Sequence, residues 1–143
     1  AGAPQAARGT RFIQISDVHV GSRSGRFLTR VVARINRLEA DYVLITGDLI
    51  DFADIPEQAL ASLGTLKLPT YFIIGNHERY VDVDAICARL TNLGVRVLRN
   101  ESVEVALPRR PESELPWRAF AGSGNQRTFG LVLSRPRVRG SRR

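Results

Sequence analysis

Three short polar motifs in this chain each stand directly behind a run of strand-like apolar residues, and that recurrence constrains the fold more than any other feature. Asp17-Val18-His19 follows the stretch RFIQIS at 11–16, Gly47-Asp48 follows YVLIT at 42–46, and Gly75-Asn76-His77-Glu78 follows YFII at 71–74. In an open parallel α/β sheet, ligands bind outside the carboxyl ends of the strands. Three successive strands would therefore deliver Asp17, His19, Asp48, Asn76 and His77 to one rim. Carboxylate, amide and imidazole donors meeting at a rim suit a borderline divalent cation, and with it a metal-dependent hydrolytic site.

The intervening segments agree with such a sheet. Phe12 to Ile15 reads as a short strand. Leu28, Val31, Val32, Ile35 and Leu38 form an i, i+3, i+4, i+7 stripe, with Arg30, Arg34 and Arg37 off it, which predicts an amphipathic helix over 27–38. Tyr42 to Ile45 is a continuous apolar run, as expected of a strand covered on both faces. Pro56 can open a second helix, with Leu60, Leu63 and Leu66 on one side, and Pro69 closes it before the next strand. A third helix is expected over 83–93, with Gly94 as its C-terminal cap. Val95 to Leu98 is a fourth strand, and 102–107 alternates as a half-exposed fifth. The succession β-α-β-α-β-α-β-β argues an α/β fold built on a mainly parallel sheet with right-handed crossovers.

At 143 residues, 43% of them apolar, the chain is one domain of globular composition. Residues 1–10 read as a linker or frayed terminus. No apolar run approaches the roughly 18 residues of a membrane span, so the piece is expected to be soluble. Cys87, among Ile86, Ala88 and Leu90, reads as a small buried hydrophobe, and one cysteine leaves the redox compartment open. The net charge of +7 is uneven: 12 basic and 10 acidic groups over 1–100 become 9 and 4 over 101–143. Lys67 is the only lysine, and the sequence has no Met at all. From Pro108 onward the texture is rich in Arg, Pro and Gly, with 129–133 as one further strand and Trp117 read as a packing residue. The absent Met and the arginine tail over 108–143 lead us to expect a processed, excised or truncated chain, with an end that is non-native or out of frame.

Singly, the motifs are weak, since Gly-Asp is often a turn. Their order and context give them force. With Ile15-Ser16-Asp17-Val18-His19-Val20-Gly21, Thr46-Gly47-Asp48-Leu49-Ile50-Asp51 and Ile74-Gly75-Asn76-His77-Glu78-Arg79-Tyr80, residues 11–107 resemble part of the calcineurin-like metallophosphoesterase superfamily. The likeness is to the N-terminal half of its α/β/β/α sandwich, and to bacterial members that often carry an N-terminal membrane anchor or export signal. The resemblance implies a phosphatase-type hydrolase with two divalent ions of the manganese, iron or zinc type. It assigns Asp17 and His19 to the first metal, Asp48 as the bridge, Asn76 to the second metal, and His77 to the substrate as general acid. A bridging carboxylate lets two cations clamp an in-line displacement, and coordination acidifies a bound water. The expected partner is a phosphate ester, monoester or diester. Arg23 and Arg26 are candidate phosphate contacts, and an upstream membrane anchor or export signal is compatible with the linker-like start. Glu78 is expected to orient a neighbour, and Asp51 and Asp54 to be turn or capping residues.

The family completes its metal pair with later histidines, including a closing Gly-His-x-His. This sequence has two histidines, both in its first half, and beyond 107 only Glu112, Glu114 and Asn125 offer ligands. At most one metal is therefore expected in this chain. The alternatives to a phosphoesterase are a non-catalytic, metal-binding relic of the fold and a binder of nucleic acid or anionic surfaces through the Arg-rich tail. The tail has charge without interleaved aromatics to stack on bases, so nucleic acid is not the expected partner.

Overall fold

The computed structural model describes residues 9–52 and 54–106, and the backbone of 131–134. Residues Arg11–Arg99 form one compact unit, and a second unit contains the strands beyond it. In the first unit the strands are β1 (Phe12–Ile15), β2 (Tyr42–Ile45), β3 (Thr70–Ile73) and β4 (Arg96–Leu98), with helices α1 (Gly25–Ile35) and α2 (Val83–Asn92). All three pairings are parallel and the spatial order is β1-β2-β3-β4, with Ile15 beside Ile45, Ile45 beside Phe72, and Phe72 beside Val97. When spatial order equals chain order, right-handed crossovers place every connection over the same face. The core follows from this: Val43, Ile45 and Phe72 are sealed against Leu28, Val32, Ile35, Leu60, Leu63, Ile86 and Leu90. Each such side chain contributes about 1.5–3 kcal/mol of burial. The alternate residues face the other way, where Phe12 stacks on Tyr42 at 5.5 Å and Tyr42 lies 6.2 Å from Tyr71.

The helices differ instructively from the sequence expectation. α1 stops at Ile35 rather than Leu38, with Asn36 as its C-cap: the Asn36 side-chain amide donates to the Thr65 carbonyl at 2.7 Å and its Oδ1 accepts from Lys67 N–H at 3.1 Å. Leu38 is consequently exposed. The second expected helix is two short 3₁₀ segments, Glu57–Ala59 and Ala61–Thr65, with i→i+3 bonds such as Leu63 N–H to Leu60 O at 2.9 Å. Leu60, Leu63 and Leu66 recur every third residue, which suits a 3₁₀ turn, where i and i+3 eclipse. α2 matches its signals. The Asp82 carboxylate caps it by accepting from Ala85 N–H at 3.0 Å. Gly94, at φ +83°, closes it with the paired bonds Gly94 N–H to Thr91 O and Val95 N–H to Leu90 O of a Schellman turn. Burial raises the pKa of Cys87, as a thiol kept as packing requires.

In the second unit β5 (Val103–Ala106) shows the expected alternation of buried and exposed residues and pairs in parallel with β6 (Leu131–Ser134). The four-stranded sheet therefore does not extend into β5. Among the described residues no helix is long and apolar enough to cross a membrane.

Candidate metal centre

The loops leaving β1, β2 and β3 are laced to one another by their backbones. Asp17 N–H bonds Gly47 O at 3.3 Å, His19 N–H bonds Asp48 O at 3.1 Å, and Val20 N–H bonds Leu49 O at 2.8 Å. Pairing of β1 with β2 thus continues past the strand ends and fixes the first motif beside the second. The third closes on them through glycine. A Cβ on Gly47 (φ +92°) would sit 2.5 Å from Gly75 Cα, and one on Gly75 would collide with the Asp48 carboxylate. Asp17, His19 and Asp48 all adopt left-handed backbone, at φ 55°, 52° and 52°. Asp and His visit that region more readily than most residues, yet holding three of them there costs about 1 kcal/mol or more apiece unless the surroundings dictate it.

For Asp17 and His19 the surroundings are the carbonyls of Gly47 and Asp48; at Asp48 itself they are Glu78. This carboxylate is 1% exposed and accepts four backbone N–H groups: Asp48 at 3.0 Å and Gly75 at 2.8 Å on one oxygen, Leu49 at 2.7 Å and Ile50 at 3.2 Å on the other. A loop turning back on itself leaves its amides without ladder partners, and one buried anion collects them. The expectation that Glu78 orients a neighbour takes this form: it holds the backbone on both sides of Asp48.

Around that frame the side chains converge. Carboxylate and imidazole atoms of Asp17, His19 and Asp48 lie within 4.8 Å of one another, as do those of His19, Asp51 and His77. Asp48 Oδ1 accepts the His77 backbone N–H at 3.0 Å, and Asn76 is the exposed residue between Gly75 and His77. Asp51 was expected to be a turn or cap. Instead its Oδ1 meets Nδ1 of His19 at 2.5 Å and Nδ1 of His77 at 3.0 Å, while its side chain is 8% exposed. One carboxylate oxygen accepting from both rings puts a proton on each Nδ1 and leaves each Nε2 turned away from Asp51. His19 Nε2 stands 4.0 Å from Asp17 Oδ1, and the two rings meet edge to face at 4.6 Å. The hydrogen bond His19 donates to Asp51, with the charges of Asp51, Asp48 and Asp17, raises the pKa of His19 against some burial. Burial alone would raise the pKa of Asp51, but hydrogen bonds from Ser22 and His19 outweigh it and lower it.

The donor set of Asp17, His19 and Asp48 fits a divalent cation: two carboxylates and a neutral imidazole are hard-to-borderline ligands. The third support is also present, since the distal nitrogen of a ligating histidine is usually held by a carboxylate, as Asp51 holds His19 here. The rim opens into a cleft of about 490 Å³ lined by His19, Ser22, Arg23, Asp51, Phe52 and His77. Arg23 lies on this cleft with its guanidinium 5.0 Å from the Phe27 ring centre. Arg26 lines a neighbouring depression with Gly21, Ser24 and Gln58. Asp54 is exposed. Glu112, Glu114, Trp117, Asn125 and the arginines beyond 107 lie outside the described residues, apart from the β6 backbone.

Residues 10–133 match the model of the calcineurin-like phosphoesterase family. The chain is 36% identical over 124 residues to a transmembrane protein with metallophosphoesterase domain from Danio rerio, covering 83% of this chain and 28% of that one. It is 35% identical over 99 residues to an uncharacterized metallophosphoesterase of Helicobacter pylori, covering 66% and 27%. A solved structure, the phosphopantetheinyl hydrolase of Mycobacterium tuberculosis, is similar at a TM-score of 0.40 and 19% identity, covering 64% of this chain and 36% of that one. The chain spans a little over a quarter of the length of the two curated relatives. By the extent of the family match and the order of its three motifs, the chain belongs to the calcineurin-like phosphoesterases, a lineage of metal-dependent hydrolases.

Proposed function

We propose that this chain carries the catalytic rim of a metal-dependent hydrolase of phosphate monoesters or diesters. Asp17, His19 and Asp48 hold a divalent ion of the manganese, iron or zinc type, and Asn76 and Asp48 supply the beginning of a second position. The observation that carries the reading is the placement of Asp51 between the two imidazoles, with His19 Nδ1 at 2.5 Å and His77 Nδ1 at 3.0 Å. A histidine serving only the core would need no such shared partner facing a cleft. When bound, a divalent ion supplies Lewis acidity at the phosphoryl oxygens and acidifies a water for attack.

The chain's own residues do the rest. Asp51 holds the His77 ring through Nδ1, so Nε2 is the atom that carries a proton to the departing oxygen. General acid help of this kind is worth about 10²–10⁴-fold. The same carboxylate keeps His19 Nε2 available as a ligand atom. Glu78 keeps Asp48 in its left-handed pose. Arg23, and Arg26 beside it, supply positive charge for the phosphate.

The two ligand groups among the described residues share His19, which favours a single ion per chain. It also sustains the second reading, a relic of the fold that binds metal without turnover. Calorimetry with Mn²⁺ or Zn²⁺, run beside hydrolysis of aryl phosphodiesters and monoesters, separates the two. The enzyme reading expects metal-dependent turnover that His77→Ala lowers far more than it lowers metal content, and that Asp48→Ala removes together with the metal. Metal binding with no turnover in any longer form of the protein would leave the relic.

A further inference from the structure

The phosphate chemistry above accounts for every residue lining the cleft except Phe52. Four large hydrophobic side chains stand exposed among the described residues, Phe12, Leu38, Phe52 and Tyr80, and of these Phe52 alone lines the cleft. The residue is 52% exposed, yet its ring has a fixed seat. A Cβ on Gly21 would lie 2.8 Å from Phe52 Cδ2 and 3.4 Å from both Cε2 and the Ile55 methyl. The ring therefore rests directly on the Gly21 backbone, at a φ of +125° that side chains rarely adopt. A phenyl ring held against backbone on a residue about half exposed is an apolar face presented to the cleft.

Its neighbours say what the face is for. Phe52 follows Asp51, the residue that holds His77, and lines the same cleft as His77 itself. Arg23 lines the same cleft, parked 5.0 Å from the Phe27 ring, and among the described residues it has no carboxylate within ion-pair distance. Resting on the phosphoesterase reading, we propose that this site selects phosphate esters whose alcohol half bears an aromatic ring, with Phe52 stacking on that ring while Arg23 draws the phosphate. A saturated, hydrated alcohol gains nothing from an open phenyl face, whereas an offset or edge-to-face aromatic pair is worth about 3–10-fold in binding.

The test is binding, so that it does not depend on turnover. The Mn²⁺-loaded chain is titrated calorimetrically with inorganic phosphate, methylphosphonate and phenylphosphonate, whose carbon–phosphorus bonds resist hydrolysis. Phenylphosphonate is expected to bind about 3–10-fold more tightly than methylphosphonate. Phe52→Ala should bring the two within twofold while leaving inorganic phosphate unchanged, Phe52→Trp should keep the preference, and Leu38→Ala, exposed beyond the far end of α1, should not alter it. Equal affinities in the unmodified chain, or a preference that survives Phe52→Ala, would overturn the aromatic subsite and leave the phosphoesterase reading standing. Failure of inorganic phosphate itself to bind the metal-loaded chain would bring down both.

Discussion

Glu78 should matter more to the stability of this chain than any exposed charge, and the magnitude can be worked from its contacts. Its two oxygens accept four backbone N–H groups; those of Leu49 and Ile50 are buried, and those of Asp48 and Gly75 are partly buried. In Glu78→Ala all four donors lose their partner. The two partly buried ones can recover water, but each fully buried donor left unsatisfied costs about 1–3 kcal/mol. With a residual loss at the other two, the expected destabilisation is about 4 kcal/mol. A unit of this size holds about 4–13 kcal/mol in all, so the variant should be marginal. Its midpoint should fall by about 16 °C or more, at about 4–8 °C per kcal/mol for a domain of 60–100 residues. Glu78→Gln keeps the shape and one acceptor. Its amide oxygen can serve Leu49 and Ile50, which places the amide N–H₂ against the donors of Asp48 and Gly75. The expected loss is about 2 kcal/mol, concentrated on the metal loop. Urea unfolding followed by far-UV circular dichroism, with an unchanged slope, gives both numbers. A loss under about 1 kcal/mol for Glu78→Ala, or none for Glu78→Gln, would refute the claim that this carboxylate holds the loop, since such values are typical of surface sites.

Gly75→Ala should cost about 1–3 kcal/mol and weaken metal binding, because its Cβ would collide with the Asp48 carboxylate and lie 2.9 Å from Gly47 Cα; a variant with unchanged midpoint and metal affinity would contradict the packing. Asp51→Ala should lower turnover by about 10²–10⁴-fold by freeing both imidazoles, while Asp51→Asn keeps the acceptor and should retain most of it; equal losses in the two would show that charge, and not ring orientation, is what Asp51 supplies. The metal-free chain should be most stable between the unfolded values of about 4 for Asp51 and 6.5 for His19. Asp51, lowered by folding, loses its contribution as pH falls through its folded pKa, and His19, raised by folding, loses its own as pH rises through its folded pKa. Metal affinity should do the opposite above 6.5, rising until His19 is neutral, because the ion competes with its proton; a pH-independent affinity from 5.5 to 8 would exclude His19 as a ligand. Calorimetry should find one divalent ion per chain, and two tight sites would show that ligands beyond the described residues take part.

The order of elements was legible because it depends on local signals that agree with one another. Tyr42 to Ile45 is apolar throughout because a parallel strand is covered on both faces, and Gly94 closes α2 because the last carbonyls need a residue that turns left-handed there. The misread segments are those where a distant partner decides. α1 ends early where Asn36 is claimed by the backbone of 65 and 67, thirty residues away. The Leu60, Leu63, Leu66 spacing did hold a usable signal, since a strict three-residue recurrence matches a 3₁₀ turn better than an α-helix.

The candidate site divides along the same line. Asp17, His19, Asp48, Asn76 and His77 stood out because each follows a strand, and strand ends are a local property. Asp51 did not, because an aspartate six residues past the end of its strand is ordinarily a turn residue. One physical argument was available all the same. Leu49 and Ile50 are apolar enough to be drawn into the core, and they are fully buried, which drags the following carboxylate in with them. A carboxylate taken out of water must find donors or neutralise, and Asp51 finds them in Ser22 and the two histidines that follow β1 and β3. Glu78 obeys the same rule with backbone amides in place of imidazoles, so two buried anions, one holding side chains and one holding main chain, fix the geometry that the motif residues alone only suggest.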